Sequence, residues 1–210
     1  LISTVLAEDA ARFRLLETTR VYAIEKLAQS GEKPAVADAH ARYCATVLAN
    51  VAASGPGAAA DHLGNIRAAL EWVFRDSSGD RLLAVDLAAN AVRPFIELSL
   101  LTECHRWSTA ALAFLDEETR GSRRELVLQE ALAISSTWML ANHVGVGAAF
   151  ARALEIARGL EDTPSQLRLL AGQHLFLTRT ANVRESLRNA EQFELLSRRA
   201  DRPVKTVMSR

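Results

Sequence analysis

From Thr18 onward the apolar residues of this chain recur every three to four positions, the spacing that keeps side chains on one side of a helix. Thr18 or Thr19 offers a capping hydroxyl to a helix whose stripe is Val21, Ile24 and Leu27, and Ser30-Gly31 stops it. A second helix opens near Pro34, where proline suits the first turn, and aligns Val36, His40, Tyr43, Val47 and Val51. Ser54-Gly55-Pro56-Gly57 breaks the chain. A third helix sets Leu63, Ile66, Leu70, Val73 and Phe74 on one face and ends at Asp76-Ser77-Ser78-Gly79-Asp80. Helix pairs then follow at about 82–98 with 102–115, about 123–141 with 145–160, and about 165–180 with 183–200.

The first seventeen residues have a different rhythm. Leu1 to Ala7 is apolar and β-branched, Glu8-Asp9-Ala10 can turn, and Arg12-Phe13-Arg14-Leu15 alternates. Two short runs around a turn predict a β-hairpin. A lone hairpin is marginal in water, so this one is expected to lean on the next helix or to belong to a larger unit.

After residue 80 the pattern repeats. Asp162-Thr163-Pro164 returns as Asp201-Arg202-Pro203, an offset of 39, and at that offset Leu154 falls on Phe193, Ala151 on Ala190 and Trp138 on Leu177. One pair earlier, Trp107 and Ala110 fall on Phe150 and Ala153 at an offset of 43, a difference of loop length. Two helices per period of about forty residues predict an α-solenoid, with an irregular helical bundle as the alternative. Small residues on the second helix of each pair (Ala110, Ala111, Ala149, Ala153, Ala157, Ala190) allow close helix approach. Trp107, Trp138 and Phe150 are the expected fillers between hairpins. Pro203 to Met208 follows the spacing of Pro164 to Leu169, as though a further repeat begins there.

Composition narrows the function. Apolar residues are 49% and charged residues 24% of the chain, enough to build a core. Twenty-five basic residues balance twenty-five acidic ones, so the chain as a whole has no field to attract nucleic acid or an acidic membrane. No apolar run is long enough to span a bilayer, and Leu1 to Ala7, short and without a basic start, is not expected to act as a secretory leader. Two cysteines, Cys44 and Cys104, argue against a disulfide scaffold. With no initiator methionine and no closing turn signal, the chain is expected to be an internal part of a longer cytoplasmic protein.

The run Arg12-Phe13-Arg14-Leu15-Leu16-Glu17-Thr18-Thr19-Arg20-Val21-Tyr22-Ala23-Ile24-Glu25-Lys26-Leu27 resembles a segment of bacterial winged-helix transcriptional regulators that carry a central STAND-type signal-transduction ATPase. In that class such a run closes a small winged-helix subdomain behind the nucleotide-binding domain. Ala39-His40-Ala41-Arg42-Tyr43, Asn65-Ile66-Arg67-Ala68-Ala69-Leu70-Glu71-Trp72, and Glu103-Cys104-His105-Arg106-Trp107 with Ala110-Ala111-Leu112 resemble later segments of the same class in the same order. The likeness in sequence covers roughly residues 1–115; beyond them it is one of architecture. It implies an all-α, TPR-like solenoid of antiparallel helix pairs preceded by a β-hairpin left over from the winged-helix subdomain. Residues 1–31 would end that subdomain, 32–79 connect, and 80–210 form repeats that sense a small signal ligand or a protein partner and restrain an upstream ATPase of the same chain. A stand-alone scaffold that assembles partner proteins is the alternative.

No Gly-x-x-x-x-Gly-Lys-Ser/Thr run is present to cradle phosphate, so neither ATP binding nor DNA binding attaches to any residue here. His40 with Cys44, and Cys104 with His105, supply four ligand types for zinc, but not at paired-ligand spacing; packing explains them better. Cys104 or Ser99 as a nucleophile lacks a glycine-flanked elbow. Asp116-Glu117-Glu118 reads as a solvated loop. Residues 179–210 hold eight basic and four acidic side chains, but Glu185, Glu191 and Glu194 interrupt the field around Arg184, Arg188, Arg198 and Arg199, and Phe193 is the single aromatic among them, too few for a stacking series. The expectation is no enzyme, no cofactor, no metal and no named site residue. The concave repeat surface is the expected site, with Gln129, His143, Gln173, His174 and Arg179 as polar groups that face it or not.

Overall fold

A computed structural model of the chain describes residues 2–7, 10–51, 59–75, 80–139 and 144–200. The predicted turn at Glu8-Asp9, the Ser54–Gly57 and Asp76–Gly79 breaks, His143 and the segment from Asp201 onward lie outside the described residues.

The described chain is nearly all helical. Two strands, β1 (Ile2–Ala7) and β2 (Ala10–Leu15), pair antiparallel in a register that runs from Ile2 opposite Leu15 to Ala7 opposite Ala10. The helices are α1 (Glu17–Ser30), α2 (Lys33–Val51), α3 (Leu63–Val73), α4 (Arg81–Glu97), α5 (Leu101–Leu112), α6 (Arg123–Met139), α7 (Val144–Gly159), α8 (Thr163–Arg179) and α9 (Val183–Ala200). Each helix from α2 on packs against the next in sequence, and α2, α4, α6 and α8 also pack one on another in order.

Local chemistry sets the helix starts. Asp80 opens α4 by accepting the Leu83 N–H at 3.0 Å, and Asp162 opens α8 by accepting the Ser165 N–H at 3.0 Å. Pro164 stands in the first turn of α8, where its missing N–H is no loss. The turns after α4, α7 and α8 share one hydrogen-bond pattern. The Leu100 N–H reaches back to Phe95 O at 2.7 Å, Asp162 N–H to Ala157 O at 2.9 Å and Asn182 N–H to Leu177 O at 2.9 Å. In each case the preceding residue (Ser99, Glu161 or Ala181) is left-handed, with φ of 58°, 52° and 56°.

Two clusters form the core, and they meet at α6. Leu128 and Ala131 join the first, with Phe95, Trp107, Ile66 and Leu70; Leu126 and Ala133 join the second, with Phe150, Leu169 and Leu170. Helix α6 is therefore buried on opposite faces, between α5 with α4 on one side and α7 with α8 on the other. Each large side chain buried this way contributes roughly 2–3 kcal/mol. Gly172 lets α8 approach α7: a Cβ there would stand 3.2 Å from the Phe150 ring.

Several expectations need correcting. Helix α1 begins at Glu17, ahead of Thr18 and Thr19, and no side chain caps it. Glu17 instead occupies the first turn, where an acid suits the helix dipole, and grips Arg20 at 2.7 Å. None of its residues is buried, and Val21, Tyr22 and Ile24 are exposed. In α2 the core face is Ala41, Cys44 and Leu48, while Val36 and Tyr43 are exposed, because α3 and α4 both pack on the face with the smaller residues. Trp138 does not fill an inter-hairpin gap; it lies 54% exposed in the last turn of α6 with the Arg179 guanidinium 5.0 Å above its ring. Ala190 is exposed, since α9 buries the polar pair Ser186 and Asn189 against α8.

Candidate interaction groove

Helices α2, α4 and α6 lie side by side, and between them runs a groove of about 750 Å³. Its floor and walls come from α2 (Ala45, Thr46, Ala49, Asn50), α4 (Leu83, Asp86, Ala89, Asn90) and the start of α6 (Arg123, Arg124, Val127). Thr46 and Asp86, Ala49 and Ala89, and Asn50 and Asn90 each stand forty residues apart in the sequence. The alanines keep the groove open. Two amides and a threonine, whose hydroxyl donates to Arg42 O at 3.1 Å, give the lining its polar part.

Ion pairs between residues 38 or 39 apart in the sequence join this row. Arg42 of α2 donates to Asp80 at 3.0 Å, Arg124 of α6 forks onto Asp86 of α4, Arg123 donates to Asp162 at 2.6 Å, and Arg168 of α8 donates to Glu130 of α6 at 3.0 Å. Asp80 and Asp162 thus each cap one helix and bind an arginine from the preceding helix of the row. The Leu83 N–H and Arg42 outweigh burial and hold Asp80 below the usual carboxylate range. Burial pulls Asp162 upward, but Ser165 and Arg123 prevail and lower it. Pairs this exposed contribute at most about 1 kcal/mol each. Their use is to set the register between helices.

The sequence candidates are scattered. Gln129 is half-buried on α6. Gln173 accepts the Asn189 amide at 2.9 Å, and His174 Nδ1 lies 3.1 Å from Ser186 Oγ, so both tie α8 to α9. Arg179 covers Trp138. None of these lines the groove. The groove residues were missed because they are small or weakly polar; the forty-residue spacing of Asn50 and Asn90 was the signal available.

Among the described residues no group of three His, Cys, Asp or Glu side chains stands together to hold a metal ion. Cys44 Sγ lies 3.6 Å from His40 Nε2 and donates to Asn65 O at 3.6 Å, whereas His105 Nδ1 turns to Ser136 Oγ at 3.1 Å. Burial pushes both thiols up to about 11, so each is protonated at neutral pH. Asp116 is spent locally, accepting the Thr119 N–H at 2.9 Å and its hydroxyl at 2.6 Å. Ser99 sits on the tight left-handed turn after α4. No helix among the described residues is long and apolar enough to cross a membrane.

The chain is similar to three mycobacterial proteins. One from Mycobacterium bovis and two from strains of Mycobacterium tuberculosis, each provisionally named an HTH-type transcriptional regulator, are 33% identical over 190 residues. The match takes in 80% of this chain, which spans about a fifth (20%) of the length of those relatives. No protein-family model and no solved structure matches.

Proposed function

We propose that this chain is the regulatory, non-catalytic helical-repeat portion of a bacterial transcriptional regulator driven by a STAND-type ATPase. The observation that carries the reading is the match, over most of the chain, to much longer proteins named as transcriptional regulators. The segment order noted in the sequence agrees with it: β1, β2 and α1 would close a winged-helix subdomain, α2 and α3 would connect, and α4 onward would be TPR-like repeats. The groove along α2, α4 and α6 is then the surface for a partner protein, since stacked repeats bind along such rows. A partner or signal that prefers one arrangement of the repeats shifts the population of restrained and released ATPase.

The test uses the complete reading frame. Nucleotide turnover is measured for the whole protein and for a form lacking residues 80–210. A changed basal rate or a lost response is expected; identical turnover and identical promoter response overturn the proposal, as does a reading frame that encodes no ATPase.

A further inference from the structure

We draw no further inference here: the strongest candidate, the surface patch where Arg179 of α8 lies over the exposed Trp138 ring at the end of α6 with Leu175 exposed one turn away, is an unpartnered apolar face, and nothing in the structure shows what covers it.

Discussion

Arg152 of α7 holds Glu125 of α6 through two parallel hydrogen bonds, Nε to Oε1 at 2.7 Å and Nη2 to Oε2 at 2.9 Å, and the carboxylate so held is 5% exposed. The Gly121 N–H adds a third bond at 2.6 Å, which ties the turn before α6 to the same carboxylate. This pair spans the helix where the two core clusters meet. Arg152→Ala strands the carboxylate and is expected to cost about 3 kcal/mol, whereas the paired change Arg152→Met with Glu125→Leu removes both charges and should cost much less. Urea midpoints of Arg152→Met, Glu125→Leu and the double variant measure the coupling. Additive effects would show that the pair does not act as a unit.

The same carboxylates make stability depend on pH. Burial raises the Glu125 carboxyl, but Arg152 and the Gly121 N–H overcome this and leave it below its ordinary value of 4.5. Asp80 and Asp162 are likewise lowered from 3.8. The unfolded chain therefore binds protons more readily than the folded one, and stability falls as pH drops. Stability from these groups is full above about pH 5 and declines as pH falls through the folded values. Thermal midpoints should hold level from pH 7 to 5 and drop steadily between pH 4.5 and 3. A midpoint unchanged at pH 3 would contradict these assignments.

Cys44 and Cys104 are 2% and 1% exposed, and their thiols are pushed up to about 11 by burial. Neither is a thiolate at pH 8, and neither meets solvent. A disulfide reagent should leave both untouched in the folded chain over minutes and titrate two thiols at once in denaturant. Fast reaction of either one under native conditions would mean that α2 or α5 opens locally far more often than its packing implies.

The sequence reading located every helix from α2 on to within a few residues, because stripes of leucine, valine and alanine mark such elements whatever they pack against. It placed the buried face less well. In α2 the larger residues Val36 and Tyr43 look like core, yet Ala41, Cys44 and Leu48 are the side that α3 and α4 cover. Which stripe is buried depends on neighbours that periodicity does not name. Trp138 misled for a related reason: it ends α6, and a terminal turn has less to pack against. The groove was illegible for another cause. Alanine and asparagine carry no chemical signature singly, and only their recurrence forty residues apart, at Asn50 and Asn90, distinguishes them. Glu125 was hidden because an acid in a helix's first turn reads as a dipole partner, while its true partner, Arg152, is 27 residues away.

The turns after α4, α7 and α8 force non-glycine residues into the left-handed region, with Ser99, Glu161 and Ala181 at φ 58°, 52° and 56°. A Cβ there crowds the following carbonyl at a cost of roughly 1 kcal/mol, which glycine avoids. Glycine elsewhere in a helix costs about as much through lost chain entropy. Glu161→Gly and Ala181→Gly should therefore each stabilise the chain by about 0.5–1 kcal/mol, while Ala171→Gly, at an exposed position inside α8, destabilises it by a similar amount. All three remove side chains that face water, so a difference in sign isolates the backbone conformation from packing. Denaturant midpoints at fixed slope decide it. If Ala181→Gly and Ala171→Gly both destabilise, the left-handed geometry of the α8–α9 turn is not what holds those helices in their hairpin.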